Sequence, residues 1–551
     1  MPRTTGAPAL FLAAALLVAC IALLGSSPAP AAAQSFTHLG SDVPLVPIRI
    51  MVKAGSAHDP EGKEGLAFLT AALVLEGGFG EPSDPLTREG LARRTAPWGD
   101  GALPGMRVDK ESTTFSMRVP SEVMGTYTRE ILAPMLSEPL FDEEGLERIR
   151  DEVLTCVESG LRKEDLEHLG LEALDNYIHE GTGRGHLVRG SVQGLKSITR
   201  EDIRRFYTTW YEPVNTIIGV GSSDEVVHDR VREAVRSMRG LEGVRPMTRS
   251  RPGGPRRVQG REMTIVAQPD APGAVINIGF PIPLLRSDED FWPLWVANVW
   301  FGTHRDSFSR LYRVIRQERG YNCGDYSYIE HFAGRPAFLF PPFNTPRTAQ
   351  YFSIWIRTVD PGYVHHLTKA AMWELEDLVR RGLSPEQVEA AKNKARILYP
   401  DYAETASRLL EAKVDDVFYG MHERGFLEGY RERIEALTAE QVNAAIREYL
   451  QTDNVKILVA TEAGSASALR QEVVEGGPAC GKGPADYGLP SEGRGEDMTY
   501  RVPAETLETL YLDGVWARCW LGLESDRVRV VPVEALFETG AFITLPPGEG
   551  G

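Results

Sequence analysis

The sequence predicts an α+β fold made of two copies of one unit, and three observations carry that prediction. The first is an internal repeat: Ile198-Thr199-Arg200-Glu201-Asp202-Ile203 returns 239 positions later as Leu437-Thr438-Ala439-Glu440-Gln441-Val442. At the same offset Trp210 meets Tyr449, Asn215 meets Asn454, Ile218 meets Ile457 and Val220 meets Val459. One shared helix cap is common by chance, whereas matches running through helix, turn and strand mark a duplicated unit. The second observation is a strand-then-helix opening that occurs at residues 47–78 and again from Val275 to Trp300. The third is the joint between the copies. Residues 243–262, GVRPMTRSRPGGPRRVQGRE, are rich in Pro, Gly and Arg and lack apolar periodicity, as an exposed linker does.

Taken in order, residues 1–33 read as an export signal. Arg3 supplies the positive end, Ala9 to Leu24 the apolar run, and Ala31-Ala32-Ala33 a small-residue cleavage site before Gln34. The run is short for a membrane span, and no second stretch is long and apolar enough to cross a bilayer. Leu17-Val18-Ala19-Cys20 also resembles a lipobox, so a lipid anchor on Cys20 is the competing reading. Either way the chain is expected in the periplasm or cell envelope.

The first domain is expected over residues 36–242. It opens on an apolar strand, a turn at Asp59-Pro60-Glu61-Gly62 and a helix striped by Leu66, Leu69, Leu73 and Val74. Thr113 to Val119 alternates as a half-buried strand does, at a sheet edge or inside it. Thr199 with Asp202 and Thr438 with Gln441 form capping boxes, and Ser384-Pro385 with Gln387 opens a further helix in the second domain, 263–470. From 471 to 551 the composition turns to Gly and Pro, then to a β-like ending at Val528 to Phe537.

At 551 residues the chain exceeds one compact domain, and its 42% apolar and 25% charged residues are those of a globular protein. A net charge of −17 argues against a nucleic-acid partner, which needs a concentrated basic surface. The linker arginines have no interleaved aromatics and read as solvated. Cys156, Cys323, Cys480 and Cys519 remain after signal cleavage, and the last two allow a disulfide that the sequence does not decide.

Chemistry enters at the first helix. Ala54-Gly55-Ser56, Asp59-Pro60, Gly62-Lys63 and Gly65-Leu66-Ala67 resemble the entrance to the insulinase/pitrilysin family of zinc peptidases. Further stretches agree: Gly190-Ser191-Val192-Gln193-Gly194-Leu195, Phe206 to Asn215, and Ser309-Arg310-Leu311-Tyr312-Arg313-Val314-Ile315-Arg316. The resemblance covers roughly residues 41–470 and implies two α+β domains facing each other as a clamshell around an extended peptide. It also implies an inverted zinc motif, H-x-x-E-H, where this chain has Phe68-Leu69-Thr70-Ala71-Ala72. By that register Phe68 and Ala72 stand for the two His ligands, Ala71 for the catalytic Glu, and Cys156 for the third ligand, a Glu. Zinc hydrolysis needs three N or O donors, an open water position and a base, so no zinc cofactor is expected here. In the second domain, Arg316 matches an Arg that orients the substrate carbonyl, and Cys323 replaces its companion Tyr. His179, His186 and His365-His366 lack carboxylates at ligand spacing and read as structural or solvent-exposed.

Three functions follow. One is a non-catalytic subunit that binds extended peptides through an edge strand and pairs with a zinc-bearing paralogue. Another is a peptidase with unrecognised ligands; the third is a stand-alone envelope binding protein. Arg316 would hold a peptide carbonyl or a partner's carboxylate, or else a structural ion pair.

Overall fold

The computed structural model describes residues 35–42, 44–159, 165–249, 252–332, 345–421, 424–475, 512–516 and 521–538. The export signal with Cys20, and Cys480 and Cys519, lie outside them. The first half builds a sheet from β1 (Ser35–His38), β2 (Leu45–Val52), β3 (Gly105–Val108), β4 (Thr113–Pro120) and β5 (Thr216–Val220), in the order β1-β5-β2-β4-β3. The second uses β6 (Glu262–Ala267), β7 (Ala274–Ile282), β8 (Asp325–Tyr328), β9 (Gln350–Val359), β10 (Lys456–Thr461) and β11 (Val528–Pro532), in the order β11-β6-β10-β7-β9-β8.

Without β11 the two orders are the same. The first strand of each half pairs parallel with the last, β1 with β5 and β6 with β10. Every other pair shared by the two halves is antiparallel. The duplication read from a few dozen residues therefore extends to the whole topology. Residues 244–249 and 252–261 carry neither helix nor strand, and β6 opens at Glu262.

Helices repeat as the strands do. In the first half α1 (Leu66–Glu76) packs on α2 (Glu143–Thr155), on α4 (Arg200–Trp210) and on the edge strand β3. α5 (Glu225–Arg236) follows β5. In the second half α6 (Phe291–Gly302) packs on α7 (Pro385–Ala403), on α9 (Ala439–Tyr449) and on β8. The three capping boxes form as expected, at Thr199, Ser384 and Thr438.

Two helices, however, are exchanged. α3 (Leu166–Ile178) belongs to the first half by sequence but lies on the second half's β7, β10 and β9. α8 (Ala406–Tyr419) belongs to the second half and lies on the first half's β5, β2 and β1. Buried Val414 packs against Met51 and Ile217 there. Gly219 gives the exchanged helix room, since a Cβ at that position would fall 2.5 Å from Val414 Cγ2. The halves are thus joined by much more than the linker.

Charge is buried under α8 as well. Arg49 pairs with Glu411 at 2.9 Å, and Arg286 Nε meets Glu330 at 3.0 Å with Asp415 3.6 Å from its Nη1. Burial pushes the Asp415 carboxyl up to about 7, against the pull of Arg49 and Arg286, with Glu411 and Asp416 adding to the rise. A carboxyl whose folded pKa exceeds its unfolded value stabilises the fold below the unfolded value, and that contribution is lost as pH rises through the folded one. Asp415→Asn is therefore expected to be more stable than the wild type at pH 8, by about 2–4 kcal/mol. The difference should shrink towards zero near pH 4, and urea melts at the two pH values check it. A pH-independent difference would count against a buried, partly protonated Asp415.

Of the two placements open to Thr113 to Val119 the structure takes the internal one, with β2 on one side and β3 on the other, so the edge is β3. One local expectation needs correction. The β-like ending is half helix: β11 stops at Pro532, which has no N–H to give a ladder, and α10 (Val533–Glu538) follows on the helix formers Glu534, Ala535 and Leu536. Together with residues 512–516 this segment spans the molecule. Leu512, Trp516, Leu521, Leu523 and Val528 enter the second half's core. Val531, Val533, Leu536 and Phe537 enter the first half's.

Candidate functional site

The turn after β2 is built to aim α1. Ser56 N–H donates to Asp109 O at 3.0 Å and Ala57 N–H to Lys110 O at 2.8 Å. Position 55 tolerates only glycine, since a Cβ there would lie 2.0 Å from Asp109 O. Asp59 is buried at the head of α1, accepting from Gly65 N at 2.8 Å and Ala67 N at 2.7 Å. It thereby satisfies backbone donors that the first turn of a helix leaves free. Gly65 holds φ +104°, a left-handed conformation that other residues rarely adopt.

α1 carries apolar residues on every side. Ala71 is fully buried and Ala72 is 3% exposed, while half-buried Phe68 packs onto the core with the Arg189 guanidinium 5.9 Å from its ring centre. Cys156 caps the end of α2, its N–H donating to Glu152 O, and its thiol is free and half-buried. The nearby carboxylate Glu152 faces solvent, paired with Arg148 at 3.0 Å and Arg88 at 3.4 Å.

The fold therefore brings the helices bearing Phe68, Ala71, Ala72 and Cys156 together, but the side chains cannot bind zinc. A benzyl ring and two methyl groups hold no lone pair, and one thiol is not a tetrahedral site. Among the described residues no group of three or more His, Cys, Asp and Glu side chains could hold a metal ion.

In the second half, Arg316 sits in a wide helical turn, Tyr312–Gln317, with its guanidinium 4.8 Å from the Tyr312 ring centre and donating to that hydroxyl. Its positive charge also acts on Asp325, whose carboxyl burial nonetheless pushes well above the usual range. Cys323 is exposed. Among the described residues no hydrogen bond, ion pair or ring contact links Arg316 or Cys323 to the four first-half positions. His179 and His186 are buried, with burial holding His179 down to about 3 and His186 to about 4, so both rings are structural and neutral. His365 is buried too, its ring 2.8 Å from Glu472.

The chain is similar to several known proteins. The family described as Peptidase M16 inactive domain matches residues 197–395. An uncharacterised zinc protease of Streptomyces coelicolor is 26% identical over 268 residues, 48% of this chain and 53% of that protein. A probable mitochondrial-processing peptidase subunit beta of Arabidopsis thaliana is 25% identical over 194 residues, covering 35% of this chain and 34% of that one. The chain thus spans a third to a half of the length of these relatives. A crystal structure described as the peptidase M16 inactive domain of Pseudomonas fluorescens superposes with TM-score 0.64 at 20% identity, over 78% of this chain and 95% of that one. A chain of complex III2 from Candida albicans superposes with TM-score 0.56 at 13% identity, over 77% and 93%.

The chain is a homologue of the M16 peptidases. Its sequence holds no H-x-x-E-H, and Phe68, Ala71 and Ala72 stand where the resemblance places that motif's ligands and base.

What composition did not disclose is how the two halves are tied together behind α1. Arg347 of the second half is fully buried between two first-half carboxylates. Its Nε and Nη2 each donate to Asp109 at 2.8 Å and its Nη1 to Asp175 at 2.7 Å. Lys110 donates to Asn176 Oδ1 at 2.8 Å and has Asp175 3.7 Å away. Thr348 and Arg184 both donate to Glu111. Asp109 and Lys110 are also the residues whose carbonyls hold the Ser56-Ala57 turn. The ionic cluster therefore connects the second half to the turn that aims α1.

Proposed function

We propose that this chain is a non-catalytic member of a peptide-processing assembly, binding extended peptide and pairing with a zinc-bearing M16 relative. The observation that supports the reading is an M16-like fold with its turn, α1 and α2 in place, and Phe68, Ala72 and Cys156 standing where the resemblance puts the metal ligands. Edge strand β3 supports the peptide-binding part. Among the described residues its only ladder partner is β4, and it is partly exposed and lies beside α1. An extended peptide can add to such an edge through its main chain. Arg316, stacked but only half-buried, is the cation we assign to a peptide carbonyl or to a partner's carboxylate. The relatives include a chain named as a peptidase subunit and a chain of complex III2, which fits a role inside an assembly. Export to the periplasm or envelope belongs to the same proposal. No helix among the described residues is long and apolar enough to cross a membrane.

The test is co-purification of the native chain with an M16 relative carrying H-x-x-E-H, and a rise in that relative's peptidase activity on mixing. Stoichiometric zinc in the isolated chain, lost together with hydrolysis on chelation, would overturn the reading. Failure to recover any such relative would leave a stand-alone binding protein.

Restoring the motif alone is expected not to restore activity. The triple variant Phe68→His, Ala71→Glu, Ala72→His still has Cys156 and Cys323 in place of the third ligand and the companion Tyr. Peptide hydrolysis by that variant above the wild-type background would show that the third ligand lies elsewhere.

A further inference from the structure

Charge is distributed unevenly in this acidic protein. Residues 230–261 contain ten arginines, no lysine, no aspartate and only Glu233 and Glu242, in a chain whose net charge is −17. The stretch begins on α5 and continues through the connection to β6. Met247 N–H donates to Thr209, Arg184 donates to Gly253 O, and Gly260 N–H donates to Asn454, so it is laid along the surfaces of both halves. Arg230, Arg236, Arg239, Arg245, Arg256 and Arg257 are exposed, and among the described residues none of them has an ion pair. By contrast Arg249 and Arg232 are paired, with Glu212 and Asp229.

From this placement we propose that the ribbon is a docking surface for an anionic phospholipid membrane. The ligand class follows from what the ribbon has and lacks. Guanidinium groups bind phosphate oxygens in forked geometry and shed water more readily than ammonium groups. Protein partners are gripped by buried aromatic or aliphatic anchors, and between residues 230 and 261 no large apolar side chain is exposed. Nucleic-acid recognition uses a helix in a groove or aromatics that stack bases, whereas most of this stretch is Gly/Pro-rich coil without aromatics. A diffuse anionic surface needs only charge, which six unpaired arginines supply.

The test is co-sedimentation of the chain from Gln34 onward, without the export signal, with vesicles of equal phosphatidylglycerol and phosphatidylcholine, beside vesicles of phosphatidylcholine alone. The readout is the ratio of binding between the two. At low ionic strength that ratio is expected to be at least about tenfold and to fall steeply with salt. It should approach one in the variant Arg236→Gln, Arg239→Gln, Arg245→Gln, Arg256→Gln, Arg257→Gln, which touches no core residue and should keep the wild-type melt. Equal binding to both lipids by the wild type, or an unchanged ratio in the variant, overturns the proposal. So does tighter binding to duplex DNA than to anionic vesicles at matched phosphate, which would assign the ribbon to nucleic acid. The proposal stands apart from the pairing with a zinc-bearing relative and survives its failure.

Discussion

Replacing Arg347 with methionine is expected to destabilise the chain by about 3–5 kcal/mol, because it leaves two buried carboxylates without their cation. Arg347 holds Asp109 down to about 2 and Asp175 well below the usual range, against burial that would raise both. Without it, only Lys110, itself buried and already shared with Asn176 and the His186 carbonyl, remains beside Asp175. His331 offers little, since burial holds its ring down to about 4 and leaves it neutral at pH 7. The triple variant Arg347→Met, Asp109→Asn, Asp175→Asn should recover much of the loss, because neutral groups bear burial far better than unpaired charges. Denaturant melts of the three proteins decide it. A single variant within 1 kcal/mol of the wild type would show that water reaches the cluster.

Removing residues 512–551 is expected to have the larger effect, leaving a protein that aggregates or binds hydrophobic dyes. The deletion uncovers both cores at once: the second half loses Leu512, Trp516, Leu521, Leu523 and Val528, and the first loses Val531, Val533, Leu536 and Phe537. β11 also takes its hydrogen bonds from the edge of β6, exposing a strand that invites pairing with other chains. Arg529 adds a tie between these parts, donating to Thr264 at 2.8 Å while lying over Tyr177 and beside Glu180. Smaller lesions give the graded measurement. Trp516→Ala and Phe537→Ala should each destabilise by about 3–5 kcal/mol, since both rings are fully buried. A truncated chain that stays monomeric with an unchanged melt would show the segment to be dispensable.

The duplication was legible because it is written in short-range signals. A capping box such as Thr199 with Asp202 involves neighbours only, and it recurs at Thr438 with Gln441. The absence of metal donors at Phe68 and Ala72 was legible for the same reason, since donor content is a property of the residue itself. The exchange of α3 and α8 was not. An apolar stripe says that a helix is covered, not which sheet covers it. Nor was the burial of Asp109-Lys110-Glu111, three charged residues between two strands whose partners are distant in sequence. Arg347, the partner of Asp109, lies 238 residues away from it, beyond the reach of any local pattern.

The exchanged helices set a timetable for synthesis. When β5 leaves the ribosome the first sheet has all five strands, but the face carrying Met51 and Ile217 has no lid until α8 emerges. Nearly two hundred residues separate the two events, roughly 10–40 s at ordinary elongation rates. During that interval the nascent chain presents a greasy strip to whatever chaperone waits at the exit tunnel. The halves, though ancestral copies, can no longer mature as separate units.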